Sequence, residues 1–300
     1  MLLAFIFVTL VAFFTSLALF YPSVRLANTV GAIDFPNERK IHARPTARLG
    51  GLTFFAPFCI LLPFLPIDSG LKISLITGGT VIFAVGLLDD TVNLSPFAKL
   101  SGQFLASAFY LFFTFNQEDS IYNKIFGIIT LFWLIFITNA TNLCDGLDGL
   151  AGGIASTQAF CLSVIALILE SYDVLLCSSL LLFGILGFLP RNVPPAKIFM
   201  GDCGSLFLGF ILSALSIRLV YESQSIVALL AIPLVFRVPT ADAIQSFFRR
   251  IIKRKNPFMA DKGHFHHKLL DMGFSKECAA LALITVSLFF GFISIIICRI

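Results

Sequence analysis

Charge is scarce in this chain. Asp, Glu, Lys and Arg make up 13% of its 300 residues and apolar residues 58%, where soluble domains carry about 25% charged residues. A soluble globule of this make-up could not cover its surface with polar groups, which excludes a cytosolic enzyme, a disordered chain and a nucleic-acid binder. No Cys-x-x-Cys pair occurs, and several of the seven cysteines lie inside apolar runs (Cys59, Cys161, Cys177, Cys298). They read as small buried hydrophobes rather than a zinc or redox site. The first apolar run lacks a basic leader and an Ala-x-Ala site, so it reads as a retained helix, not a signal peptide. Acids and bases are missing from the span centres, and no repeat relates the two halves. A transporter, the main rival from another class, should show both.

Long apolar runs are what the chain has instead. Crossing a bilayer takes about 20 residues, and ten runs qualify, at about 2–20, 51–67, 72–88, 97–115, 124–140, 150–169, 173–189, 203–219, 225–240 and 279–298. They are too continuous for barrel strands. The expected fold is an all-α integral membrane protein, one polytopic domain over residues 1–300 with about ten transmembrane helices. Loops 21–50, 89–96, 141–149, 190–202 and 241–278 fall on one side and hold 17 of the 21 Lys and Arg; the other side keeps Lys72, Lys124, Arg218 and Arg299. The positive-inside rule makes the first set cytoplasmic and both termini external. Eleven of the 17 acids share that cytoplasmic side. Asp89, Asp90, Asp145, Asp148 and Asp202 come from three loops onto one membrane face, and need a cation to offset their repulsion.

Four motifs could carry chemistry. Asp89-Asp90 closes an apolar run; paired carboxylates there can share a divalent ion or raise one another's pKa. Asn93 breaks the Asp-Asp-x-x-Asp pattern of intramembrane prenyltransferases. The run Asn139-Ala-Thr-Asn-Leu-Cys-Asp-Gly-Leu-Asp-Gly-Leu-Ala-Gly-Gly153 offers hard oxygen ligands for magnesium and phosphate chemistry, and Asp145 and Asp148 would share a helix face. Its glycines admit a close backbone or ligand, or tight helix packing. Residues 149–169 hold no further acid, against a CDP-alcohol phosphatidyltransferase. Asp202, in Phe199-Met-Gly-Asp-Cys-Gly-Ser205, is either a helix N-cap or a member of the acidic cluster. His264, His266 and His267, between Lys262 and Lys268, lack a fourth zinc ligand and look more like an anion site.

Two further stretches support these. His42 sits in a basic loop with Arg39, Lys40, Arg44 and Arg48 that ends in Gly50-Gly51; it reflects either the positive-inside bias or phosphate contact. Residues 241–255 pattern an interfacial amphipathic helix, with Ile244, Phe247, Phe248, Ile251 and Ile252 at helical spacing and Arg249, Arg250, Lys253, Arg254 and Lys255 at the far end. It anchors the loop or holds an anionic lipid.

Taken in order, Asp34-x-Pro-Asn-x-Arg-Lys-x-His42 with Pro45-x-x-Arg48-x-Gly-Gly51, Asp89-Asp90, Asn139–Leu150, Phe199–Ser205 and Ser246–Leu270 resemble the polyprenyl-phosphate N-acetylhexosamine-1-phosphate transferases over nearly the whole chain. The Pro-x-x-Arg-x-Gly-Gly and His-x-His-His forms resemble the N-acetylglucosamine branch more than the peptidoglycan translocase. The resemblance implies transfer of a sugar 1-phosphate from a UDP-N-acetyl sugar to undecaprenyl phosphate, with release of UMP, at the cytoplasmic face of a bacterial inner membrane. It implies Mg²⁺, with Mn²⁺ as a substitute, and is compatible with a homodimer. By the same resemblance Asp202 and Asn142 belong to the metal, Asp89 and Asp90 to the lipid phosphate, and Asp145 and Asp148 to the nucleotide. His264, His266 and His267 meet the diphosphate or sugar, and Arg44, Arg48 and Asn139 are weaker substrate-binding candidates. The chain stops with the tenth span, as in branches that start O-antigen or other surface polysaccharides, some of which use N-acetyl-fucosamine or N-acetyl-quinovosamine. The donor sugar is therefore open.

Overall fold

A computed structural model describes residues 2–35, 45–115, 121–254 and 263–299. The chain begins with α1 (Leu2–Ala18) and α2 (Phe20–Val30), bent 48° apart. A two-stranded antiparallel hairpin pairs β1 (Ile33–Asp34) with β2 (Thr46–Ala47), in the register Ile33 to Ala47 and Asp34 to Thr46. Helices α3 (Leu52–Leu61), α4 (Ser69–Val92), α5 (Pro96–Thr114), α6 (Ile121–Leu143), α7 (Leu150–Ile168), α8 (Tyr172–Asn192) and α9 (Gly201–Ser223) follow. A second bent pair, α10 (Ile226–Val235) and α11 (Arg237–Ile252), turns through 69°. The short α12 (Phe265–Asp271) and the long α13 (Lys276–Arg299) complete the described residues.

Each of the ten apolar runs is met by a helix, and the chain is an all-α membrane protein. Among the described residues, six helices are by themselves long and apolar enough to cross a bilayer, or eight if each bent pair is one span. The other two runs are α3, of ten residues with Pro57 inside it, and α5, which carries Lys99 and Gln103.

α9 is the axis of the bundle. It packs against α3, α4, α6, α7, α8 and α10, and 89% of its apolar stretch is buried. A helix apolar all round belongs in such a place, and small residues let its neighbours come close. A Cβ on Gly209 would stand 2.7 Å from Thr138 Cα, and one on Gly86 of α4 2.4 Å from Cys203 Cα. α4 and α9 lie antiparallel and are tied at both ends. At one end Arg218 of α9 reaches Asp68, which caps α4, at 3.8 Å, Asp173 at 3.4 Å and Glu222 at 2.5 Å. At the other end the C-terminus of α4 meets the N-terminus of α9, and there the acidic motifs converge.

The structure differs from the sequence reading in three places. The run 225–240 is helical only to Val235 before the chain bends at Phe236. Pro233 in α10 removes one backbone donor, and Pro239 in the first turn of α11 removes one that has no intrahelical partner anyway. α10 is therefore about 15 Å long, half the hydrocarbon core. The amphipathic helix accordingly starts at Arg237 rather than 241, with Phe247, Phe248, Ile251 and Ile252 exposed and Asp242, Ser246 and Arg250 buried. Within loop 21–50 lie α2 and the hairpin. Finally, Asp89 and Asp90 sit in the last turns of α4, and Asn142 in α6, rather than in loops.

Candidate active site

α4 ends where Asn93 enters the left-handed region, at φ 54°, with its N–H on the Asp89 carbonyl. Asn tolerates that conformation at a helix C-terminus. The residue that breaks the prenyltransferase pattern is thus the helix stop. Ser95 then caps α5, accepting from Ala98 N, with Pro96 at its first position. This tight turn brings Lys99, one turn into α5, back onto Asp89. Its Nζ lies 2.5 Å from Asp89 Oδ2 and 2.8 Å from Asp202 Oδ2. Lys99 was missed by the motif reading. It is the single charged side chain in the apolar run 97–115, and a lone charge there was the signal that could have found it.

Asp90 does something different from Asp89. Its side chain is fully buried, and its two oxygens accept from the backbone N–H groups of Asp202 and Cys203, each at 3.0 Å. It is therefore the N-terminal cap of α9, supplied from α4. Asp202 itself makes no capping bond and lies in the first turn of α9, leaving its carboxylate to Lys99 and Arg48.

Arg48 reaches the cluster through backbone pairing. Gly50 N–H donates to Phe199 O, Gly51 N–H to Met200 O and Phe199 N–H to Ala47 O, each at 2.8–2.9 Å. A Cβ on Gly51 would stand 2.4 Å from Gly204 Cα, so two backbones meet where only glycines fit. The guanidinium is thereby set 3.3 Å from Asp90, 3.6 Å from Asp202 and 3.8 Å from Asp34. Burial works against its charge, but those carboxylates and Asp145 outweigh it and raise its pKa.

Asn142 donates to Ser205 Oγ on α9 at 2.9 Å, which leaves its carbonyl oxygen as the atom to accept or ligate. Asp145, in the turn after α6, has its pKa pushed up to about 7 by burial and then by the like charges of Asp202, Asp90 and Asp148. Asp148 accepts from Ala196 N at 3.0 Å, and Asn192 takes Gly149 N–H and donates to Ile198 O. These bonds pin the motif loop to the segment before α9.

His266 packs on this loop: a Cβ on Gly146 would lie 2.3 Å from its Nε2. Burial, then neighbouring His267 and His264, lower its pKa to about 4, so it is neutral at pH 7. The His266 and His267 rings are 4.2 Å apart. A Gly146→Ala substitution is expected to displace His266 and cut turnover about tenfold or more while the bundle stays folded; steady-state kinetics beside a melting curve check it.

The structure thus gathers Asp89, Asp90, Asp202, Arg48 and Lys99 in direct contact, with Asp145 in electrostatic reach and His266, from α12, packed on the loop that carries Asp145. Asn139 is not in that group. It pairs reciprocally with buried Gln103, at 3.1 and 2.6 Å. His264 faces Asp242 at 2.8 Å. Arg44 and His42 lie outside the described residues.

Residues 72–220 match the model for glycosyl transferase family 4, a stretch running from α4 to α9. The chain is 33% identical over 284 residues to the probable undecaprenyl-phosphate N-acetylglucosaminyl 1-phosphate transferase of Bacillus subtilis, covering 91% of this chain and 79% of that protein. The chain belongs to glycosyl transferase family 4. Other relatives are the decaprenyl-phosphate N-acetylglucosaminephosphotransferase of Mycolicibacterium smegmatis, 33% identical over 85% of this chain and 73% of that protein, and the phospho-N-acetylmuramoyl-pentapeptide-transferase of Listeria monocytogenes, 37% identical over 62% and 63%. In family 4 terms, the matched stretch contains every acid of the cluster and Lys99, but not the histidine segment.

Proposed function

We propose that the chain, as a single membrane domain of ten spans, transfers an N-acetylhexosamine 1-phosphate from a UDP-sugar to a polyprenyl phosphate and releases UMP. N-acetylglucosamine is the first donor to test, since two relatives that match 91% and 85% of this chain carry that sugar in their names. The observation that carries the reading is the junction of α4, α5 and α9, where Asp89 and Asp202 share Lys99 beside Arg48 at one end of the bundle. A water-soluble diphosphate and a lipid phosphate can meet only at such a helix-end site. The Lys and Arg distribution supports a cytoplasmic position for that end, with both termini outside, and the relatives' bacterial sources support a bacterial inner membrane.

The donor set fits a hard divalent cation, Mg²⁺ or Mn²⁺. Asp145 has no hydrogen bond to its carboxylate among the described residues, and burial, then the like charges of Asp202, Asp90 and Asp148, lift its pKa against the opposing guanidinium of Arg48, so a cation there would offset repulsion. Among those residues no three acids, histidines or cysteines form a ready cage. Mg²⁺ is characteristically bound by one or two carboxylates with substrate phosphates completing its shell. Asp202 and the Asn142 oxygen would hold it. Bound there, it would supply charge neutralisation and Lewis-acid polarisation of the diphosphate.

This chain's own residues then have distinct tasks. Lys99 and Arg48 offset charge on the two phosphates, and Asp90 keeps the start of α9 in place. An oxygen of the acceptor phosphate attacks the phosphorus bearing the sugar, in line with the bond to the UMP oxygen. One P–O bond forms, that bond breaks, and UMP leaves. The acceptor is largely ionised near pH 7, so attack needs no general base. Positioning and charge do the work, as in phosphoryl transfer generally.

UMP release by purified protein, with undecaprenyl phosphate, Mg²⁺ and a panel of UDP-N-acetyl sugars, tests this. Release with one sugar, abolished by chelation, is the expected result; folded protein inert toward the whole panel overturns it. Lys99→Met is expected to lower turnover by about 10²-fold or more, in the same assay, by removing the cation that Asp89 and Asp202 share and leaving Asp202 to Arg48 alone.

A further inference from the structure

The polar face of α11 is unexplained by the reaction. Asp242, Ser246 and Arg249 recur at helical spacing, and Asp242 and Ser246 are almost wholly buried. All three grip the segment that carries the histidines. Asp242 Oδ1 accepts from Phe265 N at 2.8 Å, and Oδ2 lies 2.8 Å from His264 Nδ1. Ser246 Oγ is 3.2 Å from the same ring nitrogen. Arg249 donates to Ser246 Oγ at 3.2 Å and to the carbonyl oxygen of Gly263. His264 stacks parallel on His266, with 5.8 Å between centroids and 4° between planes, and His266 rests on Gly146.

We infer that Asp242 is a positioning residue. It holds His264 with the proton on Nδ1 and, through the His264–His266 stack, sets where His266 and His267 stand against the Asp145–Gly149 loop. A carboxylate bound to one imidazole nitrogen fixes both tautomer and ring orientation. Asp242 also caps α12, so one side chain sets the start of that helix and the plane of the first ring. The helix patterned as an interfacial anchor therefore has a second task on its buried face. The kinetic part rests on the transferase reading; the tautomer part does not.

Asp242→Asn is the informative variant. Asn keeps a carbonyl oxygen for Phe265 N–H but turns an amide N–H toward His264 Nδ1, which favours the other tautomer. The chain has four histidines, so ¹⁵N-histidine NMR resolves them. His264 should show Nδ1–H in the wild type and Nε2–H in the variant. Turnover per bound UDP-sugar should fall about 10- to 100-fold, the scale seen when a carboxylate orienting a histidine is removed. In a His266→Ala background the same substitution should cost less than about twofold, because the effect runs through His266. Unchanged His264 signals, wild-type kinetics, or a full additive loss in the double variant overturn the inference. Should Asp242→Asn not fold, His264→Asn, which can still donate to Asp242, should retain activity that His264→Phe loses; equal activity of those two counts against it. A wild type that releases no UMP would fault the transferase reading, and the NMR would then decide this one alone.

Discussion

Asp202→Asn is expected to abolish UMP release, by about 10³-fold or more, while the protein melts within a degree or two of the wild type. The carboxylate makes no capping bond and carries no backbone of α9, so the fold does not depend on its charge. Its two oxygens face Lys99 and Arg48, and both cations keep other acid partners, Asp89 for Lys99 and Asp90 and Asp34 for Arg48. What is lost is the charged oxygen expected to meet the divalent cation. Removing one preorganised group at developing charge costs about 10²–10³ in rate, and losing the cation as well adds to that. Kinetics and a melting curve on one preparation check it, and turnover within tenfold of wild type would remove Asp202 from the metal.

Asp90→Ala is expected to do the reverse in kind: to unsettle the bundle itself. The substitution strips two backbone N–H groups at the start of α9 of their acceptor and takes the nearest partner from Arg48. Each orphaned buried donor costs about 1–3 kcal/mol, and breaking a buried ion pair from one side about 3–5 kcal/mol. These overlap, since one carboxylate serves both, so about 3–5 kcal/mol is the expected total. α9 is the central helix, and the loss should appear as a melting midpoint lowered by about 5 °C or more. Asp90→Asn, which keeps one acceptor, should fall between. A midpoint unmoved in Asp90→Ala would mean the cap contributes nothing. Adjacent in sequence, Asp89 and Asp90 thus separate: one faces Lys99 and the open site, the other the backbone of α9.

The membrane class, the helical fold and the residues of the acidic cluster were legible in the sequence, because lipid imposes long apolar runs and makes every charge near them conspicuous. Asp89, Asp90, Asp145, Asp148 and Asp202 stood out for that reason. Lys99 did not, because a single basic residue one turn inside a helix looks like a snorkelling border charge. Asn139 was grouped with the site by its neighbours in sequence, whereas its side chain is taken by Gln103, 36 positions away. The bend at Phe236 escaped because hydropathy runs on smoothly through the break.

What the sequence alone determined is therefore which groups exist and that they gather at one end of the spans. Composition and spacing suffice for that, since both are local properties. The division of labour among those groups came only from the tertiary structure. Whether a carboxylate caps a helix, pairs with a lysine or orients a histidine depends on which other helix end lies within about 3 Å. Those neighbours are brought together by glycines that let α3, α4 and α9 touch backbone to backbone, 112 residues apart in the case of Asp90 and Asp202.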